Sequence, residues 1–463
     1  MKKTNIMKVA INLSKMFYVR ILLALLVFQG QTMLAQSVSV SNSKKNQTYT
    51  SVVNNGVHKI HVKNSKTDFK VEYEGEITLS DDDKDIVDIS RGGFIEIKKS
   101  SFGKKRKIVI EAESGKLNKR YYVGWSEKDY YPEGKAWLAE ILPEIVRSTT
   151  IGAESRVNRF FDKGGVNAVL AEIRELKSDY VQAKYFGYLL QRDLSNSELT
   201  RVLQSSGKNI KSDYYLAQIL KSNQKAFLSS PETISAYITA SKNIGSDYYM
   251  AQVLREAIKT DDINDNQLTD LLQISEDIGS DYYLSQVLTD ILKNRELNKS
   301  NMNKIMKLSN NINSDYYKSQ VLKKALNKKN LSSENYETFI SSMDDIGSDY
   351  YASGVINGLL KKDLDDKSLD KLLQLITKNV SSDYYASGIY KRLSKKKLND
   401  NQLIKVMDAM KRNISSSNYL SSSLISFAPQ VKNSSQRVKD AYMKVAKSIS
   451  SDTYFGRAMK AIY

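Results

Sequence analysis

Apolar residues follow two different periods along the chain, and each period predicts a different kind of element. Between residues 57 and 125 apolar positions alternate with polar ones; Phe69, Val71 and Tyr73, for example, are separated by charged residues. Such alternation places one face of a strand on a core and the other in water. Groups of glycine, serine and aspartate separate the runs and are typical of tight turns. The pattern predicts a small antiparallel β domain over residues 36–130.

A repeat of 34 residues begins near Leu176 and continues to Tyr463. Its signature is the tripeptide Ser-Asp-Tyr; after the seventh copy Ser417 takes the place of the aspartate, and Asp452 follows after a step of 35. A fixed period of this length indicates repeated supersecondary units, and it predicts about eight and a half repeats over residues 176–463. The aspartates of the first seven copies are Asp179, Asp213, Asp247, Asp281, Asp315, Asp349 and Asp383.

Each repeat contains two apolar runs with helical spacing. Val253 and Ala257 lie on one helix face, and a second helix start at Asn264 leads into Leu268. A pair of helices this short cannot bury both apolar faces alone, so neighbouring repeats must stack. These features predict a mostly α fold, a right-handed αα-superhelix of the HEAT or tetratricopeptide kind, preceded by the β domain. Residues 131–175 are expected to form linking and capping helices.

The segment before each first helix contains residues typical of helix ends. In the repeat that begins at Ile244, Gly245 is expected to adopt the left-handed conformation that closes the preceding helix. The Ser246 hydroxyl is expected to accept hydrogen bonds from the free amides of the first turn, and Asp247 places a carboxylate at the positive end of the helix dipole. The helix cap and the favourable charge at the helix start account for the Ser-Asp pair, so no ligand is needed to explain it.

Two columns of tyrosines follow the Ser-Asp pair. Adjacent helical residues point about 100° apart, so only one column can face fully inward. The spacing from Tyr249 to Val253 assigns the second column to the core and leaves the first column partly exposed. The first column has two interpretations: a packing rib between repeats, which is favoured, or an aromatic ladder that stacks on a partner's apolar groups or sugar rings. Its candidate binding residues are Tyr214, Tyr248, Tyr282, Tyr316, Tyr350 and Tyr384.

A row of glutamines also changes along the array. Gln218, Gln252, Gln286 and Gln320 occupy one position of successive repeats, and Gly354 and Gly388 occupy it in the next two. Either the surface alters along its length or the repeats pack more tightly towards the C-terminus. The sequence leaves both alternatives open.

The residue inventory offers little for catalysis. The chain has no cysteine, which excludes disulfides and thiolate zinc sites. Its two histidines, His58 and His61, are three apart on a predicted strand and point to opposite faces, so they cannot easily share a metal ion. The acidic run 81–83 is interpreted as a solvated turn rather than a catalytic pair. We expect a protein that is not an enzyme and has no cofactor and no metal site.

The chain is basic, with a formal net charge of +18. Its densest basic cluster is Lys104, Lys105, Arg106 and Lys107, between two strand-like runs. The cluster is interpreted as the solvated end of a hairpin, and a contact with a polyanion is the alternative. A positive net charge also speeds encounter with anionic partners.

Residues 1–35 have the layout of a secretory signal peptide. They contain basic residues but no acidic ones, then the apolar run 21–28, and they end in the small residue Ala35. The run is far shorter than the ~20 residues that cross a bilayer, so we expect no transmembrane segment after signal removal. The predicted location is periplasmic or extracellular. Export also argues against nucleic acid as a natural ligand.

The order of three further segments resembles a known family. Residues 136–143 (Ala-Trp-Leu-Ala-Glu-Ile-Leu-Pro), 151–157 (Ile-Gly-Ala-Glu-Ser-Arg-Val) and 165–170 (Gly-Val-Asn-Ala-Val-Leu) lead into the first Ser-Asp-Tyr at 178–180. This order resembles the extracytoplasmic C-terminal region of some bacterial membrane metallopeptidases of the beta-lactam-sensor type. The chain has no His-Glu-x-x-His motif and no multi-pass membrane region, so the peptidase activity does not carry over. The resemblance implies a freestanding, sensor-like module.

The function predicted from the sequence is that of an exported, non-enzymatic repeat scaffold. Its expected partner is a protein or peptide in the cell envelope. The alternative is a polyanionic glycan or lipopolysaccharide, including a lipid A-type surface, bound through basic and tyrosine-rich surfaces. The two differ in their response to salt, because electrostatic binding to a polyanion weakens steeply with ionic strength.

Overall fold

A computed structural model describes residues 36–42, 47–63, 68–101, 103–328, 331 and 333–463. The predicted signal peptide, residues 1–35, lies outside the described residues. The chain divides into two compact units, the first ending at Arg192 and the second running from Asp193 to Tyr463. The helices of segment 131–175 and the first helix of the repeat array belong to the first unit.

The predicted antiparallel β domain forms the start of the first unit. Eight strands make one sheet in the order β1-β2-β3-β4-β7-β8-β9-β10, and β5 pairs with β6 in a separate hairpin. Alternation in β4 matches the sequence pattern, because Phe69, Val71 and Tyr73 are buried. The strands are β1 Gln36–Asn42, β2 Gln47–Asn54, β3 Val57–Lys63, β4 Asp68–Glu74, β5 Ile77–Leu79, β6 Ile86–Ile89, β7 Phe94–Ser101, β8 Lys104–Glu113, β9 Lys116–Val123 and β10 Ser126–Lys128.

Two connecting helices, Lys135–Ser148 and Ala153–Glu175, complete the first unit. The apolar face of the earlier helix, which includes Trp137, joins the buried side chains of the sheet in one core. A tight turn leads into this helix, and Gly134 there lies so close to the sheet that a Cβ would sit 2.8 Å from the Cβ of Tyr121. The glycine is needed for that close approach.

Each full predicted repeat folds as two main helices, and the repeat that begins at Asp213 has a further short helix, Gln224–Phe227, between them. In the second unit each first helix packs against the first helix of the next repeat, and each second helix packs against the next second helix. This two-layer stack is an α-solenoid. The first helices are Asp179–Leu189, Asp213–Ser222, Asp247–Lys259, Asp281–Asn294, Asp315–Leu326, Asp349–Leu359, Asp383–Leu393, Ser417–Lys432 and Asp452–Lys460. The second helices are Asn196–Asn209, Pro231–Ser241, Asp265–Ser275, Lys299–Leu308, Ser333–Ser341, Asp366–Asn379, Asp400–Asn413 and Gln436–Ala446.

The core of the array lies between the two layers. Apolar residues on the facing sides of both helices are almost fully buried; Val253 and Leu254 of a first helix and Leu271 of the following second helix are 0% exposed. Complete burial of such a side chain contributes about 1.5–3 kcal/mol. Because successive repeats supply these residues at the same positions, the stack forms one continuous core.

Small residues allow the first helices to approach one another closely. From the second repeat to the eighth, the position four residues after the place of the aspartate is buried and carries alanine or serine. The hydroxyl of Ser285 donates to the carbonyl oxygen of Tyr282 at 2.8 Å, so burial leaves it paired. The column consists of Ala217, Ala251, Ser285, Ser319, Ser353, Ser387 and Ser421.

The second-helix start predicted at Asn264 is confirmed, and it is stabilised by a helix cap that recurs in other repeats. The side chains of Asn264 and Asn399 accept hydrogen bonds from the backbone amides of Gln267 and Gln402, and those glutamines bond back to the cap in a capping box. Ser230, Asn298 and Asp365 also cap their helices through side-chain oxygens.

The expected serine cap of the first helices is wrong in the second unit. Ser246 and Ser280 have the extended backbone of an N-cap residue, but their hydroxyls make no capping hydrogen bond. The aspartate instead reaches the next repeat. The Asp281 carboxylate accepts from the backbone amides of Asn313 at 3.1 Å and Ser314 at 2.8 Å. Equivalent bonds are made by Asp213, Asp247, Asp315, Asp349 and Asp383.

The expected left-handed glycines are also wrong. Gly245, Gly279 and Gly347 are absent from the described residues with positive φ. Gly245 instead donates its amide to the carboxylate of Asp213 at 2.9 Å. Because this bond uses only the backbone, other residues replace the glycine, and Asn313 makes the equivalent bond to Asp281.

Candidate functional site

The first column of tyrosines lies on the surface of the array. Their exposed fractions are 45% for Tyr214, 44% for Tyr248 and Tyr282, 48% for Tyr316, 62% for Tyr350 and 64% for Tyr384. The expectation of partial exposure is therefore confirmed. The six rings recur once per repeat at the start of the first helices.

The second column does not enter the core as expected. Its members, such as Tyr249, are half-buried, and the core positions are taken by the residues that follow, such as Met250 and Val253. The second tyrosine instead packs against rings of the first column: Tyr249 contacts Tyr248 of its own repeat and Tyr214 of the preceding repeat.

The two columns together form a continuous ladder of rings. Each first-column ring meets the second-column ring of its own repeat edge-on, as Tyr248 meets Tyr249 with centroids 4.9 Å apart. It also meets that of the next repeat, as Tyr248 meets Tyr283 at 5.8 Å. The ladder runs in this way from Tyr215 to Tyr419. Edge-to-face pairs contribute about 0.5–1.5 kcal/mol each beyond burial, so the rings are held in place while one face stays open.

The row of glutamines takes part in a second inter-repeat contact. Lys221 donates to the side-chain oxygen of Gln252 in the next repeat at 3.0 Å. Arg255 donates to Gln286 at 2.7 Å and to Asp290 at 2.6 Å. In these repeats a basic residue is thus held by the glutamine that follows it 31 residues later.

Where glycine replaces glutamine, the surface opens into a cleft. Two adjoining hollows of about 450 and 440 Å³ share Lys323, Gly354, Asn357 and Arg392 in their walls. This answers the question that the sequence left open: the surface alters along the array. We call this region, with Tyr350 and Tyr384 at its border, the glycine cleft. Lys323, Asn357 and Arg392 were not predicted from the sequence, although the 34-residue step aligns Lys323 with Lys221 and Arg255.

The basic cluster at 104–107 forms the first four residues of β8 and ends a hairpin with β7. Its side chains alternate between the two faces of the sheet and do not form one patch. Arg106 lies over the ring of Trp137 at 5.9 Å, and Lys107 lies over Tyr122 at 4.2 Å and 3.6 Å from Glu96. Lys104 and Lys105 are exposed.

The histidines take part in separate contacts. His58 stacks on Tyr73 with ring centroids 4.5 Å apart, and Nε2 of His61 lies 2.9 Å from Asp68. Burial lowers the pKa of His58. Within the described part of the chain, no group of three or more histidine or acidic side chains is placed to hold a metal ion.

One member of the acidic run is not solvated as expected. Asp83 is 9% exposed and pairs with Arg156 at 2.7 Å and also with Arg159. Arg156 is fully buried and also contacts Glu172 at 2.7 Å and the hydroxyl of Tyr185. Burial raises the pKa of Tyr185 to about 12. Each of these acids is matched by arginine, so the group is a structural ion network.

The similarity of this chain to known proteins is slight. No family model matches the chain, and no curated protein matches it. Among solved structures, a computationally designed self-assembling cyclic homooligomer is similar with 13% identity over 67% of this chain and 92% of that chain, at a TM-score of 0.10. At so low a TM-score the fold assignment rests on this chain's own helices. None of the helices in the described ranges is long and apolar enough to cross a bilayer.

Proposed function

We propose that this chain is an exported, non-enzymatic repeat scaffold that binds a protein or peptide partner in the cell envelope. The observation that supports this most directly is the first column of tyrosines, whose exposed fractions run from 44% at Tyr248 to 64% at Tyr384. Tyrosine is enriched at the energetic centres of protein interfaces because it buries a large area with few rotatable bonds.

The ladder gives these tyrosines a further advantage as binding residues. The first-column rings are already ordered by edge-on contacts with two neighbours, so a partner loses little side-chain entropy on binding them. Their repetition along the stack suits an extended segment that contacts several repeats. Export, to the periplasm or outside, is proposed from residues 1–35, and the sensor-like role is proposed from the resemblance stated above.

The glycan alternative has weaker support. Its strongest basis was the run Lys104–Lys107, and there the strand alternation separates the four side chains onto two faces. Two of them also lie over aromatic rings of the same unit. A polyanion would therefore meet only part of the charge that the sequence suggests.

The proposal is tested by capture from cell-envelope extracts. The immobilised protein is compared with a variant that carries Tyr248→Ser, Tyr282→Ser and Tyr316→Ser. Removal of three adjacent anchors is expected to reduce the captured partner at least about tenfold, since one interface hot spot alone exceeds 1 kcal/mol. The matched control, Gln204→Ser, Gln273→Ser and Gln374→Ser, changes exposed uncharged residues on the second helices.

Thermal unfolding and circular dichroism establish that both variants retain the helical array. Equal capture by the protein and the tyrosine variant, or no reproducible capture by the unaltered protein, would contradict the proposal. Capture abolished by added salt but unchanged in the tyrosine variant would favour the polyanion alternative.

A further inference from the structure

The inter-repeat contact described for Lys221 and Arg255 fails at two places in the array. At two of the four glutamine positions the glutamine holds a basic residue of the preceding repeat: Lys221 donates to Gln252, and Arg255 donates to Gln286. The equivalent partner of Lys323 is Gly354, which has no side chain to offer. A Cβ at this glycine would lie 2.9 Å from Nζ of Lys323, so the ammonium occupies the space that the glutamine takes elsewhere.

Lys323 also lacks the acidic partner that Arg255 has. Arg255 is also paired with Asp290, 35 residues ahead of it, and the residue at that distance from Lys323 is Gly358. Among the described residues Lys323 makes no hydrogen bond or ion pair. A cation that has a hydrogen-bond partner at both of these earlier positions is therefore left without one in the cleft.

The same change occurs one repeat later. Asn357 takes the position of the basic residue, and Gly388 takes that of its glutamine partner. The side-chain oxygen of Asn357 is buried and has no hydrogen-bond partner. An unpaired buried acceptor is unfavourable because it has lost its hydrogen bonds to water, and a donor supplied by a ligand would restore one.

These unpaired groups share one cavity. Lys323 and Asn357 both line the glycine cleft together with Lys391 and Arg392, and none of the described residues in its walls is acidic. At its border lie Tyr350 and Tyr384, which have the largest exposed fractions of the first column. The cleft thus offers positive charge, one acceptor that lacks a donor, and two aromatic rings.

We propose that the glycine cleft is an anchoring site for an acidic residue in an extended segment of the protein partner. This inference rests on the proposed function. Such a segment supplies an anion for the cations and a donor for the unpaired oxygen. The carboxylate of an aspartate or glutamate pairs with Lys323 and Arg392, and a backbone N–H of the same segment donates to the Asn357 oxygen. The rings of Tyr350 and Tyr384 pack on the neighbouring side chains of the segment.

The unpaired oxygen favours a peptide over a bare anion. Sulfate and the dianion of a phosphate monoester have only acceptor oxygens, so either would satisfy the cations and leave the Asn357 oxygen without a donor. An acidic sugar has both carboxylate and hydroxyl groups and is therefore the competitor that an experiment must separate from a peptide.

The experiment measures fluorescence anisotropy with a labelled peptide of alternating glutamate and serine. Its counterpart has glutamine in place of glutamate. The key variant is Gly354→Gln with Gly388→Gln, which restores the residue that earlier repeats carry and fills the cleft. It is expected to fold, because the atom nearest to a Cβ at Gly354 is the end of a flexible lysine and a Cβ at Gly388 meets nothing within 4 Å.

Two controls accompany this variant. Gly456→Gln makes the same exchange in a helix where a Cβ also meets open space. Lys221→Gln removes a lysine that already has a partner, for comparison with Lys323→Gln. We expect the glutamate peptide to bind the unaltered protein and both controls alike. Its affinity should fall at least about tenfold in the double glycine variant and in Lys323→Gln, and with added salt.

Equal binding of the glutamate and glutamine peptides, or unchanged binding by the double glycine variant, would overturn the inference. So would binding of an acidic oligosaccharide such as tetragalacturonate in the absence of peptide binding. These results are distinguishable from failure of the proposed function. If capture of the partner depends on Tyr248, Tyr282 and Tyr316 but not on the two glycines, the scaffold proposal is retained and the proposed role of the cleft is rejected.

Discussion

Aspartate serves the two units of this protein in opposite ways. In the first unit Asp83 is buried and pairs with Arg156, a residue 73 positions away, inside a network of arginines and acids. In the repeat array, Asp281 and its equivalents are half-buried and accept hydrogen bonds from backbone amides 32 and 33 positions ahead. The pair between Asp83 and Arg156 occurs once, whereas the bond from an aspartate to backbone amides of the next repeat recurs with the period of the sequence.

The difference shows how each unit distributes its stability. A buried charge pair is strongly destabilising to break, because the remaining partner stays desolvated. A hydrogen bond at the edge of a repeat contributes less, and its loss is confined to neighbouring repeats. The first unit therefore depends on single contacts between distant residues, whereas the array depends on the sum of many equivalent ones.

The largest effect is expected for Arg156→Met. The side chain of Arg156 is 0% exposed, and its removal leaves Asp83 and Glu172 with fewer partners. We expect the free energy of unfolding of the first unit to fall by about 3–5 kcal/mol. Denaturant unfolding followed by tryptophan fluorescence measures this unit alone, because both tryptophans, Trp125 and Trp137, lie in it.

Lys163→Met is the matched control, since its pair with Asp81 is exposed and should contribute no more than about 1 kcal/mol. The dependence of stability on acidic pH provides a second measurement of this network. Burial opposes ionisation of Asp83, but the hydrogen bonds and charges of Arg156 and Arg159 outweigh it and hold its pKa below the ordinary value. The unfolded state thus binds more protons, and this stabilisation, complete above the unfolded pKa, is lost as the pH falls through the folded pKa. Equal unfolding of both variants would show that the network is dispensable.

A smaller effect is expected for Asp315→Ala in the array. Its carboxylate accepts from the amides of Gly347 at 3.3 Å and Ser348 at 2.8 Å. Loss of these bonds should destabilise the adjoining repeats by about 1–2 kcal/mol. Hydrogen exchange measured by mass spectrometry should speed up around residues 346–349 and leave distant repeats unchanged. The control is Asp270→Ala, at an exposed position on a second helix; similar exchange in both variants would refute the role of the carboxylate.

The smallest expected effect is an increase in stability. Ser417 replaces the aspartate in the eighth copy, and its hydroxyl lies 2.9 Å from that of Ser450 instead of accepting from backbone amides. Ser417→Asp should restore the regular contact and stabilise the C-terminal repeats by up to about 1 kcal/mol. Slower hydrogen exchange in the last repeat would support this. A loss of stability would mean that the 35-residue step before Asp452 has removed the geometry that the contact needs.

Local signals predicted the elements well. The 34-residue step located the helix pairs, and Asn264 and Asn399 cap the second helices through bonds three residues away. The exposure of Tyr248 and its equivalents followed from helical angles alone. The predictions that failed concern contacts between repeats: the second tyrosine column, the serine hydroxyls and the glycine before Ser246 all depend on where the next repeat lies.

The candidate site was predicted only in part. The first tyrosine column and the change from glutamine to glycine were visible in the aligned repeats. The cleft itself was not, because Lys323 and Asn357 become significant only when their usual partners are known. Aligning the polar residues of the repeats identifies these positions, but the contact across 31 residues that makes them unusual exists only in the stack.

By itself the sequence determined the period, the class of each element and the apolar residues that line each core, because these depend on interactions within about one helical turn or along one strand. The tertiary structure alone decided which carboxylate meets which amide, which arginine enters the core beside Asp83, and where the surface opens at Gly354. Those contacts depend on distances between separate elements, and these distances are set by the summed packing of many side chains rather than by any local pattern.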